Sequence, residues 1–459
     1  MSRSSRLSIE APVWGPVLAL AAGTGLVCGV SPKYGLAAAL GIAFAITAFA
    51  DLTRGLVIFA CVSFLEALNG SAGGGAASFM KIAGLLLFGS WYLGTLDPDR
   101  RAALRPRSVP PVFLIGCGAL LTWSAMSVAW AETNGAAATA TYRYALNMLL
   151  FPIVLASVRR REHLVWVLGG FVTGAVISTL YGFLNPASSA NGDFGRLTGA
   201  VGDSNEQAAV LVAAIPLAIA LMVGLRGRPV LRILSGLAAL LCLAGVVNTL
   251  SRGGLIALAM SMVAAMFFGG QWRRWAVAAV VITAVGTVGY FIAIAPNSAR
   301  NRVSSGDTSG RSDIWTVGWR MVQAHPLLGV GSGNFQAASI HYVQAPGTLR
   351  NANLIVDVPH VAHNTYLEEL AEIGVPGLLA FLTIVAAAVA SAARAAWLFE
   401  RAGLRDLEFM ARALAIGLVG FLTADFFLSG EFSKQLWLLL ALGPATLALA
   451  YAEHAQSTR

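Results

Sequence analysis

The sequence predicts an all-α integral membrane protein that crosses the bilayer many times. The chain of 459 residues is 57% hydrophobic and only 12% charged, whereas about a quarter of the residues in an average soluble domain are charged. Apolar runs close to the length of about 20 residues that spans a bilayer recur along the chain. Helices are expected in these runs because backbone polar groups inside a bilayer need partners within their own segment.

The fourteen apolar runs predict about twelve to fourteen transmembrane helices. The range reflects the run 55–68, which is short for a full span and could pair with its neighbour as a broken or re-entrant element. The first run begins near residue 11 and is interpreted as the first span rather than as a cleaved signal peptide, because it is long and further spans follow it. The runs cover residues 11–30, 34–50, 55–68, 78–95, 111–130, 137–158, 164–184, 206–225, 229–249, 253–269, 274–294, 373–398, 407–428 and 434–452.

Arginine clusters in alternate short loops predict the orientation of the chain. If the N-terminus is cytoplasmic, the basic loops fall on the cytoplasmic side and the opposite short loops carry almost no positive charge. We therefore expect an even number of spans and both termini in the cytoplasm. The net charge of +9 follows from this pattern and does not indicate a nucleic-acid partner.

One long outward connection interrupts the short loops and predicts three parts: N-terminal spans in 1–294, a long periplasmic loop in 295–370 and C-terminal spans in 371–459. Long ordered loops commonly carry function. Within this loop, residues 313–324 show an apolar face at helical spacing, widened by Trp315 and Trp319. Ser312 is the expected N-cap and Pro326 the expected stop. This amphipathic helix is expected on the membrane surface or over the bundle.

Polar residues that a membrane protein would not retain without a role gather in the outward stretches. Arg196 and Arg252 depart from the cytoplasmic bias of positive charge, and Arg311 lies in the long loop. The guanidinium fork suits phosphate oxygens, and His363 has a side chain that titrates near neutrality and could accept a proton from a hydroxyl. These residues together predict a site for a diphosphate.

Other polar residues near these stretches have more than one interpretation. An outward arginine taken alone is commonly a lipid headgroup contact, although Arg143 could be a further anion contact. Glu368, Glu369 and Glu372 are expected to form a solvated helix face. Asp425 lies inside an apolar run, where a carboxylate is costly and a hydrogen-bonding or pathway role is expected.

Four motifs follow one another between about residues 190 and 380. The stretch 363–378 fits the pattern H-N-x-[YF]-L-x-x-L-x-E-x-G-x-x-G-L, and residues 251–253 fit an S-R-[GS] turn. An arginine followed by glycine and asparagine precedes a span, and an R-x-x-x-W run leads into P-x-x-G-x-G-x-x-x-F. The residues concerned are Arg196, Gly199, Asn205, Ser251, Arg252, Gly253, Arg311, Trp315, Pro326, Gly329, Gly331, Phe335, His363, Asn364, Tyr366, Leu367, Leu370, Glu372, Gly374, Gly377 and Leu378. In this combination the chain resembles the O-antigen ligase and Wzy_C-type polysaccharide polymerase family of membrane glycan transferases.

The resemblance implies a GT-C-like, metal-independent and inverting enzyme with no cofactor. It would lie in the inner membrane of a bacterium, with the loop 295–370 in the periplasm. There it would move a glycan from undecaprenyl diphosphate to the hydroxyl of a glycan or glycolipid acceptor. Carried over, His363 is the candidate base, and Arg196, Arg252 and Arg311 would bind the diphosphate and stabilise the leaving group. Possible supporting residues are Asn205, Asn364, Tyr366, Glu372, Arg143 and Asp203.

The sequence leaves several alternatives open. A polymerase that joins lipid-linked repeat units, and a protein O-oligosaccharyltransferase, share these motifs and differ in their acceptor. A solute transporter would concentrate polar residues near the middle of the bilayer, whereas here they lie near one interface and in the long loop. A non-catalytic scaffold or flippase partner would tolerate the loss of His363.

Overall fold

The computed structural model of the chain describes most of the sequence. The described residues are Gly25, Gly29, 31–65, 79–104, 109–186, 195–293, 295–297, 300–301, 310–344, 349, 353–357 and 360–457. Within these residues, every regular element is a helix. The first predicted span, 11–30, lies outside the described residues apart from Gly25 and Gly29, which are helical.

Eighteen α-helices are present in this part of the chain. In order they are α1 Pro32–Ala50, α2 Leu52–Val62, α3 Phe79–Leu96, α4 Pro98–Leu104, α5 Pro111–Ser127, α6 Asn134–Met148, α7 Leu150–Ser157, α8 Arg161–Leu184, α9 Ser204–Gly224, α10 Pro229–Asn248, α11 Arg252–Phe268, α12 Arg273–Ala293, α13 Arg311–Ala324, α14 Phe335–Ser339, α15 Asn353–Val356, α16 Thr365–Arg401, α17 Arg405–Ala424 and α18 Lys434–Ser457.

The helices confirm the all-α polytopic fold. Within the described ranges, seven helices have the length and apolar composition needed to cross a membrane, namely α3, α8, α9, α10, α16, α17 and α18. Five shorter apolar helical stretches accompany them, in α1, α2, α5, α11 and α12. The predicted run 55–68 corresponds to a helix of 11 residues, and the run 137–158 forms two helices, α6 and α7.

The centre of the bundle is formed by α9, α16, α17 and α18. Helix α9 packs against α10 and α17, and α16 packs against α5, α17 and α18. Trp437 of α18 is fully buried, and its ring lies against those of Tyr144 and Phe151. Leucine and alanine side chains line most of this core.

Helix α13 confirms the predicted amphipathic element and corrects its cap. It begins at Arg311, and its N-cap is Gly310 in a left-handed conformation (φ 76°), so the prediction of Ser312 as N-cap was wrong. Glycine adopts this conformation without a steric penalty. Trp315 donates its Nε1–H to the carbonyl of Ala362 at 3.0 Å, but Trp319 is 51% exposed and does not extend the buried face.

The apolar face of α13 lies over the bundle. Its buried residues pack with Phe335, Ala371 and the partly buried Leu367 in a cluster separate from the main core. Adding a Cβ at Gly318 would bring it to 3.1 Å from Leu367 Cδ2. The helix therefore covers the N-terminal end of α16 rather than lying apart from it.

Helix α16 has a sharp break at Gly374, where φ is 65° and ψ is −171°. The segment that follows α13 fills this break with backbone hydrogen bonds. Val375 donates to the carbonyl of Pro326 at 2.9 Å, and Val330 donates to that of Ala371 at 2.9 Å. Trp123 Nε1 donates to the carbonyl of Ile373 at 2.8 Å. Non-helical backbone at membrane depth is tolerated when protein groups satisfy it, as they do here.

The break predicts that Gly374 cannot be replaced. A Cβ at this position would lie 2.2 Å from the carbonyl oxygen of Leu327, and its backbone conformation is one that only glycine adopts readily. We expect Gly374→Ala to lower the free energy of unfolding by about 2 kcal/mol or more. Thermal unfolding of the purified protein in detergent measures this.

The matched control is Gly118→Ala in α5, where a new Cβ would meet no atom within 4 Å. This variant is expected to unfold at the wild-type temperature. Equal stability of the Gly374→Ala and Gly118→Ala proteins would show that the break in α16 is not required.

Candidate functional site

Arg196 joins the segment before α9 to the turn between α10 and α11. Its Nε donates to the carbonyl of Thr249 at 2.9 Å, and its Nη2 donates to Asn205 Oδ1 at 3.3 Å. Ser251 donates its hydroxyl to the same Asn205 oxygen at 2.8 Å. The backbone N–H of Leu197 donates to the carbonyl of Asn248 at 3.0 Å. Arg196 is only 7% exposed, so it holds these two segments together from within the protein.

The candidate arginines in the loops lie at helix N-termini. Arg252 is the first residue of α11, which Ser251 caps by accepting from the N–H of Gly254. Arg311 is the first residue of α13. Asp203 caps α9 by accepting from the N–H groups of residues 205 and 206. Helix N-termini carry a partial positive charge that favours anions. The arginine side chains and the helix N-termini at these positions therefore both favour the binding of an anion.

His363 lies within the electrostatic reach of two of the predicted residues. Burial lowers the pKa of His363 below its ordinary value, and the positive charge of Arg311 lowers that pKa further. Asp203 acts in the opposite direction, while His360, whose ring centroid is 6.4 Å away, adds a small lowering effect. The charges of Arg311 and Asp203 therefore both act on His363. Asp203 also caps α9, the helix that begins next to Asn205, the partner of Arg196.

The backbone is strained at two places in this region. Among the described residues, Leu250 (φ 50°) and His363 (φ 48°) are the non-glycine residues with positive φ. Such a conformation costs about 1–3 kcal/mol and persists where surrounding contacts impose it. Leu250 lies directly before the Ser251–Arg252 turn, and His363 lies before α16. Strain at these two positions is typical of a functional site.

Asn364 and Tyr366 support the start of α16. Asn364 caps the helix by accepting from the backbone N–H groups of Tyr366 and Leu367, both at 3.1 Å. The Tyr366 hydroxyl donates to the carbonyl of Leu422 at 2.7 Å, and its ring lies 4.3 Å from that of Phe426. Both side chains are therefore engaged in fixing the backbone next to His363.

The prediction that Glu368, Glu369 and Glu372 form a solvated helix face was wrong. The three residues are 5%, 2% and 7% exposed. Glu372 accepts the backbone N–H of Phe335 at 2.9 Å and also that of Gly333. Glu369 accepts from the Tyr144 hydroxyl, and Glu368 accepts from the Ser429 hydroxyl. The spacing of residues along a helix does not show which other segments of the chain cover them. Here the segment 333–335 and the loop that contains Ser429 cover this face.

A polar cavity of about 260 Å³ lies beside this region. Arg143 is exposed at its rim, with its guanidinium carbon 3.9 Å from the ring centroid of Phe432. Other residues that line it are Glu206, Ser429, Lys434 and Gln435. None of these four residues was predicted from the sequence. Lys434 could have been found, because a lysine at the predicted outward end of the last span departs from the cytoplasmic bias of positive charge.

Asp425 is fully buried at the end of α17. Neither of its carboxylate oxygens has a hydrogen-bond partner among the described residues. Its backbone carbonyl accepts from the N–H of Thr365 at 2.9 Å. The backbone of this residue, rather than its side chain, therefore contacts the segment that carries His363.

Part of the chain matches a model of a known protein family. Residues 237–382 match the family model described as O-Antigen ligase. The match supports the O-antigen ligase family. Arg252, Arg311 and His363 lie inside the matched stretch, which is about a third of the chain, whereas Arg143 and Arg196 lie outside it. No curated protein matches the chain. The match supports a membrane protein that processes glycans.

The contacts of Glu372 predict that its carboxylate is required for the packing of the long loop. Its two oxygens accept from two backbone N–H groups, of Gly333 and Phe335. Glutamine has one acceptor oxygen and would direct an NH₂ group at the other donor. We expect Glu372→Gln to cost about 1–3 kcal/mol of stability and to speed protease cleavage within 325–344.

Limited proteolysis of the purified protein, with cleavage sites located by mass spectrometry, measures this effect. The control is Glu162→Gln, at an exposed position in the first turn of α8, which is expected to leave the cleavage rate unchanged. Wild-type protection of the loop in the Glu372→Gln protein would contradict the assigned role.

Proposed function

We propose that the chain transfers a glycan from an undecaprenyl-diphosphate donor to the hydroxyl of a glycan or glycolipid acceptor. The observation that carries the proposal is the half-buried His363, which has a left-handed backbone and lies with Arg252 and Arg311 in the stretch matched to the O-antigen ligases. The positive charge of Arg311 acts on this histidine. A neutral imidazole next to permanent positive charge is suited to accept a proton where an anionic leaving group is bound.

The proposed step breaks the bond between the anomeric carbon of the glycan and the diphosphate oxygen, and forms a bond from that carbon to the acceptor oxygen. His363 accepts the proton of the acceptor hydroxyl. The leaving group departs as undecaprenyl diphosphate, with its charge stabilised by Arg252 and Arg311. Attack from the face opposite the leaving group inverts the anomeric centre. No metal ion or cofactor is required in this proposal.

Arg196 takes a different part in this proposal from the other two arginines. It is the most buried of the three, and it already donates to Thr249 and Asn205. We assign it to shaping the turn that presents Arg252, in addition to adding positive charge near the diphosphate. Arg143, at the rim of the cavity with Lys434, would contact the anionic or hydroxyl-rich part of a substrate.

The proposed location is a bacterial inner membrane with the site facing the periplasm. It is supported by the arginine-rich loops, which fall at the ends of the spans opposite those that carry Arg252 and His363. A donor headgroup held at the periplasmic interface would place its diphosphate beside the helix N-termini, while its polyprenyl chain stays in the bilayer.

Loss of His363 is expected to abolish transfer. In a bacterial strain that lacks its glycan ligase, we expect the wild-type chain to restore the surface glycan ladder and His363→Ala to reduce it at least about 100-fold, as is typical when a general base is removed. The ladder is measured by gel electrophoresis of the extracted glycolipid at matched membrane expression.

The control is His341→Ala. His341 is exposed in the same long loop and pairs with Glu132 at 2.8 Å, so this variant should restore the ladder fully. Equal restoration by His363→Ala would remove His363 as the base. Longer lipid-linked glycans with no transfer to the ligase acceptor would instead identify a polymerase.

The pH dependence of transfer should follow the neutral form of His363. Because burial and Arg311 lower its pKa below the ordinary value of 6.5, the neutral base persists at mildly acidic pH. We expect kcat/KM to be maintained as the pH falls through 6.5 and to be lost only below it. Removing the positive charge in Arg311→Gln should move this acidic limb to higher pH, in addition to lowering the rate.

The measurement is the rate of glycan transfer by purified protein between pH 5 and 8. A wild-type acidic limb at or above pH 6.5, or a limb that Arg311→Gln leaves in place, would contradict the assignment of the base and its neighbour.

A further inference from the structure

The backbone of His363 is held by a chain of two hydrogen bonds. Its N–H donates to the hydroxyl oxygen of Ser429 at 3.1 Å. The Ser429 hydroxyl in turn donates to the carboxylate of Glu368. Glu368 lies in the first turn of α16, and Ser429 lies in the loop between α17 and α18. Two pieces of backbone, the start of α16 and the loop that carries Ser429, thus meet at the residue with the left-handed conformation.

The loop that carries Ser429 is itself anchored to the start of α16. The N–H of Thr365 donates to the carbonyls of Asp425 and Leu428, each at 2.9 Å. The Thr365 hydroxyl also donates to the carbonyl of Leu428 at 3.0 Å and accepts from the N–H of Gly430 at 2.7 Å. Ser429 lies between these anchored residues, so its hydroxyl is fixed relative to His363.

We propose that Ser429 and Glu368 are positioning residues that hold His363 in its left-handed conformation and so fix the orientation of its imidazole. This inference rests on the proposed function of His363 as the base. A hydroxyl is suited to this position because it can accept from an N–H and donate to a carboxylate at once. Glu368 orients that hydroxyl, so that its lone pairs face the backbone N–H of His363.

Removal of the Ser429 hydroxyl is expected to change the surroundings of His363. The charged or titratable groups that act on it are Arg311 at the start of α13, Asp203 at the cap of α9 and His360 in its own segment. Glu368 of α16 acts through Ser429. Without the hydroxyl, the backbone N–H of His363 loses its hydrogen-bond partner, and the side chain is expected to move toward solvent, away from the charge of Arg311.

Chemical modification of His363 measures this directly and does not depend on activity. The full chain in lipid nanodiscs is treated with diethyl pyrocarbonate between pH 5 and 8, and carbethoxylation of His363 is followed by tandem mass spectrometry. In the wild type, the reaction is expected to be slow, with its midpoint below the ordinary pKa of histidine. In Ser429→Ala, it should be at least about threefold faster, with its midpoint moved up toward 6.5.

Two variants serve as controls. Ser429→Thr keeps the hydroxyl and is expected to react like the wild type. Thr423→Ala removes a hydroxyl that bonds only within α17, to the carbonyl of Val419 at 2.8 Å, and should also react like the wild type. If Ser429→Ala does not reach the membrane, Ser429→Cys, with its weaker donor and acceptor, should show a smaller shift in the same direction.

Transfer kinetics provide the second readout. We expect Ser429→Ala to lower kcat about 10-fold or more with the KM for donor unchanged, and Ser429→Thr to restore it. Coincident modification profiles for Ser429→Ala and wild type would overturn the positioning role. If the wild type transfers no glycan, the proposed function fails, whereas the modification profiles still decide whether Ser429 positions His363.

Discussion

The break in α16 at Gly374 is the constraint on which the rest of the site depends. A long apolar helix cannot leave backbone groups unpaired within a bilayer, so the break requires partners, and the segment 325–335 supplies them through Pro326, Val330 and Gly331. The carboxylate of Glu372 fixes the far end of that segment. This arrangement holds α13 over the start of α16, where His363 lies.

The same kind of contact fixes the helix starts that carry two of the arginines. Arg311 begins α13, which packs on α16, and its charge acts on His363. Arg252 begins α11, directly after the turn that Arg196 and Asn205 hold against the start of α9. In the proposed function these fixed helix starts preorganise the site, which is what stabilisation of a developing anionic leaving group requires.

The sequence predicted the helices and the polar outliers well, for one physical reason. Bilayer-spanning segments must be apolar and helical, so Arg196, Arg252 and Arg311 were conspicuous. It did not predict which residues are covered. Glu368, Glu369 and Glu372 have the spacing of an exposed face, and only the loops that fold over them show that they are buried. The cap of α13 was misplaced for a related reason, since Gly310 acts through its backbone conformation and not through a side-chain acceptor.

Reconstituted transfer tests the central claim most directly. The purified chain in nanodiscs is given an undecaprenyl-diphosphate-linked glycan and a lipid A–core acceptor, and the products are identified by mass spectrometry. The account predicts a glycan joined to the acceptor with inverted anomeric configuration, and one undecaprenyl diphosphate released for each glycan transferred. Donor that remains intact in the presence of correctly folded protein and acceptor would contradict it, and so would a product with retained configuration.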